Sequence, residues 1–293
     1  MTLLACQIFS TIAHEGSFAR AAERLHLTPS AISHAVASME SECGFPLFTR
    51  TKTGVTMTAA AESLLPDVQR LLSSSESLDQ TIARINGLDK GVLRLAVFNS
   101  ACVTWVPQLL PPFEQQFPGI DIQLYQGSYA DITAWLKTGT AELGLMSNSS
   151  AQDLDFEPMY TDPLVCIAPA GFATNRPGVV TAEELRGHTF VSQRSDTDAD
   201  IQSYLKKNEL RVNARCFVND DESVIAMVAC GQGVAILPRL ILRRYDSRME
   251  GFQVLRLEPA SSRSIGMACL DKNGLSPAAR QFWRRARDYA ASL

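Results

Sequence analysis

The sequence predicts an α/β protein in three parts: short helices with a small wing at residues 1–58, a long linker helix at 59–90, and two α/β lobes at 91–293. Three observations support this division. Apolar residues recur at helical spacing through the first part, a heptad pattern follows, and after residue 90 short strands alternate with helices. A chain of 293 residues is also longer than one ordinary domain.

Start and stop signals divide the first part into three helices. The first covers about residues 2–14. Ser17 is placed to cap a second helix, because a serine oxygen can accept an N–H of the first turn. Thr28 and Pro29 open a third helix, with the threonine as cap and the proline at the first helical position, where its missing N–H costs nothing. Gly44 ends this helix.

A small hairpin follows the three helices. Residues 45–48 and 55–57 are predicted strands, and the basic segment 49–53 joins them as a wing. Two helices joined by a tight turn, followed by a basic wing, form the winged helix-turn-helix, which fits a helix into the major groove of DNA. The alternative is a three-helix module for protein interaction. A net charge of −4 does not by itself indicate a nucleic-acid partner, so the prediction depends on the local pattern.

The residues predicted to contact double-stranded DNA lie at the start of the third helix and in the wing. Small hydroxyl groups there allow a close approach and donate to phosphates or bases. Arg50 and Lys52 would neutralise phosphates, which makes binding dependent on salt. The full set is Ser17, Thr28, Pro29, Ser30, Ser33, His34, Arg50, Lys52 and Thr53.

The linker helix carries an apolar seam with alternating spacings of four and three residues. This heptad pattern is typical of paired helices, so we expect the linker to pair with a second copy of the chain. Pro66 lies inside the helix and is expected to kink it or loosen its first turns. The seam consists of Leu64, Val68, Leu71, Leu78, Ile82 and Ile85, with Ser75 filling the gap.

The last 200 residues repeat a strand–helix pattern twice. Strands at 92–98, 120–126 and 142–146 alternate with helices, which predicts a parallel sheet covered by helices. A second set of strands and helices occupies residues 164–237, before a returning strand and a terminal helix at 277–291. Two similar halves indicate two small lobes with a cleft between them.

A small-molecule effector is expected at this cleft, because ligands of such sheets bind outside the carboxyl ends of the strands. Helix starts that converge there suit a carboxylate or another small anion. The alternative is that each serine only caps its helix. The acidic run at 220–222 is interpreted as a solvated cap and not as a ligand contact. The predicted effector-binding residues are Asn99, Ser100, Cys102, Ser128, Gln193, Ser195 and Thr197.

The N-terminal motifs resemble those of the LysR-type transcriptional regulators. The similarity is carried by the runs 17–25, 27–34, 44–50 and 56–58, and it extends through the linker helix and both lobes. It implies a sequence-specific DNA-binding regulator, lobes shaped like type 2 periplasmic binding proteins, an effector between them, and a dimer or more usually a tetramer. His34 stands where the family often has arginine, which leaves base preference at that position open.

Composition limits the remaining functions. No apolar run has the roughly 18 residues of a membrane helix, and the N-terminus does not resemble a signal peptide, so we expect a cytoplasmic protein. Seven scattered cysteines indicate reduced thiols and no zinc site. An alternative regulator would sense oxidants through Cys102, whose pKa a helix start could lower. We expect neither a cofactor nor enzymatic activity, because no nucleophile–base set is evident.

Overall fold

A computed structural model describes residues 1–51, 54–85, 90–193, 199–211, 213–218, 220–243 and 250–293. The N-terminal part contains α1 (Leu3–Glu15), α2 (Phe18–Arg24), α3 (Pro29–Cys43), β1 (Phe48–Thr51) and β2 (Gly54–Met57). The three predicted helices are present, and Gly44 ends α3 in the left-handed conformation with φ of 79°. The winged helix-turn-helix predicted from the sequence is therefore confirmed.

The predicted strand at residues 45–48 is wrong in its position, because β1 begins only at Phe48. The Glu40 carboxylate accepts the Leu47 N–H at 2.7 Å and the Phe48 N–H at 3.4 Å, so a side chain of α3 binds the segment just before the hairpin. Leu47 is fully buried, whereas Phe45 is exposed. A single apolar anchor at residue 47 explains the hydrophobic run better than a strand does.

The linker helix α4 (Ala59–Ile85) continues unbroken through Pro66. Its first half packs on α1, where Leu65 and Val68 are buried in one cluster with Phe9. Val68 was predicted to belong to the pairing seam but is buried within its own chain, and only the seam residues of the second half face solvent. Leu71, Leu78, Ile82 and Ile85 are 47%, 60%, 49% and 77% exposed within one chain. Such an apolar row is what a paired linker helix would cover.

The remaining elements, in chain order, are β3 (Gly91–Val97), α5 (Asn99–Thr104), α6 (Val106–Gln116), β4 (Ile120–Gln126), α7 (Tyr129–Thr138), β5 (Leu143–Ser147), β6 (Asp155–Pro169), β7 (Val179–Thr181), α8 (Ala182–Leu185), β8 (Thr189–Gln193), α9 (Ala199–Lys207), β9 (Asn213–Val218), α10 (Asp221–Ala229), β10 (Ala235–Pro238), α11 (Arg239–Leu242), β11 (Phe252–Glu258), β12 (Ser262–Cys269) and α12 (Pro277–Ala291). Helix α6 lies between the first two predicted strands, as expected, whereas the short helix α5, which precedes it and is separated from it by Trp105, was not predicted.

Two lobes share the long strand β6. Strands β4, β3, β5 and β12 and the first part of β6 form the sheet of lobe I, in which β3 pairs in parallel with β4 and β5, and β12 pairs antiparallel with β5. Residues 164–169 of β6 continue into lobe II, where they pair with β10 and β11. The second predicted set, which starts at residue 164, thus begins inside a strand of 15 residues that crosses between the lobes.

Each lobe has its own core. Helices α5, α6, α7 and α12 cover the lobe I sheet, with Trp105, Phe113 and Phe282 fully buried among them. Two smaller clusters fill lobe II. Helix α12 covers the residues that the sequence predicted, although β7, β11 and α11 were not predicted. None of the described helices combines the length and apolar character needed to cross a bilayer.

Candidate DNA-binding and effector sites

Helix α3 exposes the side chains that the sequence assigns to DNA. Ser30, Ser33 and His34 are all exposed on the N-terminal half of this helix. The opposite face anchors it to the domain and consists of Ile32, Val36 and Met39. The small hydroxyl groups and the imidazole therefore point away from the core, as contact with a DNA groove requires.

Two other predicted DNA contacts act as helix caps. The Ser17 Oγ accepts the Arg20 N–H at 3.4 Å, and the Thr28 Oγ1 accepts the Ala31 N–H at 3.2 Å. Pro29 occupies the first position of α3 and is exposed beside Thr28. Thr28 thus fixes the start of the helix that would enter the groove.

The wing is tied to the turn between α1 and α2. The Val55 N–H donates to the Gly16 carbonyl at 3.2 Å, and the Thr49 and Thr56 hydroxyls lie 3.0 Å apart across the hairpin. Arg50 lies in β1. Lys52 and Thr53, both predicted to contact DNA, lie outside the described residues.

A cavity of about 210 Å³ separates the two lobes at the start of α5. Lobe I contributes Asn99, Ser100 and Val103 to its lining. Lobe II contributes a second wall, which consists of Asp220, Asp221, Glu222 and Ile241. Two of the predicted effector residues, Asn99 and Ser100, thus lie together in one cavity, opposite an acidic run that the sequence analysis interpreted as a solvated cap.

Ser100 is almost fully buried and belongs to a polar network beneath the cavity. Arg263 Nη2 donates to the Ser100 Oγ at 2.9 Å, and Arg263 Nη1 donates to the Tyr129 hydroxyl at 3.0 Å. The same guanidinium lies over the Phe98 ring, 5.0 Å from its centroid, and Nε donates to Asp162 Oδ2 at 3.0 Å. A guanidinium only donates, so the Ser100 oxygen accepts here and its own proton points elsewhere.

The Asp162–Arg263 ion pair lies where β6 leaves lobe I. The two residues face each other across β6 and β12, and both are buried. Burial raises the pKa of Asp162, while the positive charge of Arg263 acts in the opposite direction. The second carboxylate oxygen accepts the Leu240 N–H of α11 at 2.9 Å. This pair therefore links Ser100 of lobe I to a helix of lobe II.

Carboxylates of lobe II also accept hydrogen bonds from lobe I at the edges of the cleft. Asn99 Nδ2 donates to Asp221 Oδ2 at 3.0 Å. The hydroxyls of Ser147 and Ser149 donate to Asp200 Oδ2 at 2.7 and 3.1 Å. These contacts hold the lobes together around the cavity.

Two other predicted effector residues, Ser128 and Cys102, are not among the described residues that line this cavity. The Ser128 hydroxyl accepts the Asp131 N–H at 3.2 Å and donates to the Asp131 carboxylate at 2.7 Å, so it serves as a helix cap. Cys102 is half-buried against the lobe I core. Gln193 ends β8, whereas Ser195 and Thr197 lie outside the described residues.

Sequence reasoning missed the charged pair under Ser100. Asp162 lies just before the apolar run of β6, and Arg263 lies near the start of β12, whose later residues are buried. A charged residue inside a buried strand normally has a partner, which is the signal that could have identified both. Nothing in the local sequence shows that they are partners, because they lie 101 residues apart.

Comparison with known proteins identifies the family. Residues 3–62 match the bacterial regulatory helix-turn-helix family of lysR type, and residues 86–291 match the LysR substrate binding domain. The chain is a LysR-type transcriptional regulator. Regulators of this family bind DNA and small-molecule effectors and form oligomers.

Individual relatives of this regulator are similar over most of their length. The HTH-type transcriptional activator CmpR of Synechocystis is 28% identical over 239 residues, which are 80% of this chain and 78% of that protein. The HTH-type transcriptional regulator IlvY of Escherichia coli is 26% identical over 294 residues, covering 97% and 98%. A full-length OxyR variant from Pseudomonas aeruginosa superposes with a TM-score of 0.76 at 20% identity, covering 99% of this chain and 94% of that one. This structure shows that the fold is shared.

Proposed function

We propose that this regulator recognises a specific duplex sequence through α3 and the wing, and that a small polar molecule between the lobes controls it. The exposed face of α3 supports the first part, with Ser17, Thr28, Pro29, Ser30, Ser33, His34, Arg50, Lys52 and Thr53 as the proposed contacts. The cavity beside Ser100 carries the second part. We assign Asn99 and Ser100 as its central ligand contacts.

The size of the cavity favours a small metabolite. Its volume of about 210 Å³ is below the range of about 300–1,000 Å³ that is typical of pockets for drug-sized ligands. Ser100 would donate its hydroxyl proton to an acceptor atom of the ligand, because Arg263 already donates to the oxygen. We therefore expect a hydrogen-bond acceptor of the effector to lie next to the Ser100 hydroxyl.

The lobe II wall of the cavity does not restrict the effector to anions. The anionic class expected from the sequence stays a prediction, since the lobe II wall contains three carboxylates. Hydrogen bonds from Ser223 hold the pKa of one of them, Asp220, below its ordinary value. A carboxylate wall suits hydrogen-bond donors of a ligand better than further negative charge. The effector screen should therefore include neutral and cationic compounds as well as anions.

A thermal-shift screen of the full chain tests the proposed site. The panel should contain anionic, neutral and cationic compounds built on the same small carbon skeletons. A ligand that binds the folded state raises the melting temperature. We expect the shift to disappear in Ser100→Val and to persist in Ser128→Ala, whose hydroxyl caps α7 outside the cavity. A shift that survives in Ser100→Val would place the effector elsewhere.

The alternative of a thiol-based redox regulator stays a prediction, and the structure gives it little support. All seven cysteines are free thiols. Burial raises the pKa of the Cys102 thiol, which disfavours the reactive thiolate. Peroxide should therefore leave the DNA affinity of the wild type unchanged. A loss of affinity that is reversed by reductant and absent in Cys102→Ser would favour the redox alternative.

We also propose that the protein acts by binding alone, in the cytoplasm, without a cofactor or enzymatic turnover. A regulator converts ligand occupancy into a shift between conformations, and this requires differential affinity but no bond chemistry. Effector recovered unchanged after prolonged incubation with the protein would agree with this proposal.

A further inference from the structure

Gln69 lies at the point where the three parts of the chain meet. It belongs to α4 and is 4% exposed. Its Nε2 donates to the Ser10 Oγ of α1 at 2.7 Å and to the Thr138 carbonyl at the end of α7 at 2.5 Å. The two N–H bonds of a single amide therefore connect the DNA-binding domain, residues 1–58, to lobe I.

Neighbouring contacts indicate that this junction is closely packed. His14 Nδ1 of α1 lies 3.1 Å from the Thr140 Oγ1 in the turn after α7. Gly139, between the two lobe I contacts, has φ of 70°, and a Cβ at this position would overlap the Gln69 Oε1. Glycine accommodates both this backbone conformation and the close approach of the glutamine, whereas another residue here would be strained.

The junction leaves the DNA-contacting face free. Ser10 and His14 are on α1, whereas Ser30, Ser33 and His34 on α3 remain exposed in the same arrangement. Contact with lobe I is therefore compatible with DNA binding. A chain bound to DNA can keep its regulatory lobe in contact with the DNA-binding domain.

We propose that Gln69 is the positioning residue that couples the DNA-binding domain to lobe I within one chain. Its amide holds both domains at once, so a displacement of the Thr138 turn is transmitted to α1. Loss of the amide leaves the two partly buried acceptors without their donor, which favours separation of the two domains. The inference depends on DNA binding by the family and not on the proposed effector site.

The coupling can be measured through the tryptophans. All three of them, Trp105, Trp135 and Trp283, belong to lobe I, and residues 1–90 contain none. Tryptophan fluorescence during heating therefore follows lobe I alone. The full chain should be heated with and without a duplex that the wild type selects from a random pool.

Because coupling between two sites is reciprocal, DNA bound to the N-terminal domain should stabilise lobe I when the two are joined. We expect DNA to raise the fluorescence-monitored melting temperature of the wild type by roughly 2–4 °C. Gln69→Leu should lose this shift while its affinity for the duplex stays within about threefold of the wild type. Gln281→Leu, an exposed glutamine of α12, is the matched control and should keep the shift.

Three results would overturn the proposal. These are a wild type without a DNA-dependent shift, a Gln69→Leu protein that retains the shift, and a folded Gln69→Leu protein that no longer binds DNA. If Gln69→Leu does not fold, the same melting experiment with Thr140→Val tests the coupling instead. It removes the exposed hydrogen bond to His14 and should reduce the shift, whereas an undiminished shift would contradict the coupling.

Discussion

The α3 surface and the interlobe cleft use their polar side chains in opposite ways. On α3, Ser30, Ser33 and His34 are exposed to solvent. In the cleft, Ser100 is buried and bonded to Arg263, which is in turn paired with Asp162. The first surface is open to a partner that supplies the missing hydrogen bonds. In the cleft, the polar groups of this network already have hydrogen-bond partners within the protein before any ligand binds.

This difference implies different roles for the backbone around each site. A surface whose contacts come from the partner needs only a rigid helix in the correct orientation. A buried network also carries part of the folding free energy, so a ligand that bonds to Ser100 adds to bonds that already hold the lobes. Variants in the two regions should therefore separate binding from stability.

The largest effect is expected at the buried ion pair. Asp162→Ala removes the carboxylate that faces Arg263 and the acceptor of the Leu240 N–H. A buried charge without its partner destabilises a protein by about 3–5 kcal/mol. Urea unfolding followed by tryptophan fluorescence measures this loss.

Two further variants sharpen the result. Glu258→Ala breaks the exposed ion pair with Arg176 and should cost less than about 1 kcal/mol. The double variant Asp162→Leu with Arg263→Met removes both buried charges and should recover much of the loss from Asp162→Ala. Equal losses for the buried and the exposed pair would contradict the role assigned to the network.

Much of the fold was predictable, because short-range signals determine it. Ser17, Thr28 and Pro29 mark helix starts that depend only on the next three residues, and each was placed correctly. The interlobe network was not predictable in the same way. Register between β6 and β12 brings Asp162 opposite Arg263, and this pairing depends on the whole of lobe I.

The candidate sites show the same limit. Ser30 and Ser33 were predicted as DNA contacts from the helix start that Thr28 and Pro29 mark, and both side chains are exposed. For Ser100 and Ser128, the position after a strand predicted a cleft contact in both cases. The structure buries one in the cavity and uses the other to cap α7, because Asp131 lies one turn after Ser128. The choice depended on a neighbouring carboxylate and not on the serine.

On the α3 surface, substitutions should change the affinity for DNA while leaving the stability of the fold unchanged. Ser30→Ala combined with Ser33→Ala removes two exposed hydroxyls and should alter the free energy of unfolding by less than about 0.5 kcal/mol. Each lost base contact costs about 1–3 kcal/mol of specific binding. We therefore expect at least roughly a tenfold loss of affinity for a selected duplex, measured by fluorescence anisotropy at fixed salt.

Random-sequence DNA and a distant serine provide the controls for this prediction. Affinity for random duplexes should stay near that of the wild type, since phosphates dominate nonspecific binding. Ser41→Ala changes an exposed serine near the other end of α3 and should bind the selected duplex normally. Equal losses of affinity for selected and random DNA would show that Ser30 and Ser33 do not contact bases.

The smallest effect is expected at Ser128, and it decides whether this residue belongs to the cleft. Ser128→Ala removes a capping box in which serine and Asp131 satisfy each other, and such a cap is worth about 1 kcal/mol. Urea unfolding should show this modest loss, while any ligand found in the thermal-shift screen should bind as it does to the wild type. A variant with unchanged stability and weakened ligand binding would contradict the capping assignment. In that case Ser128 would join Ser100 as a ligand contact, and the cavity would extend to the start of α7.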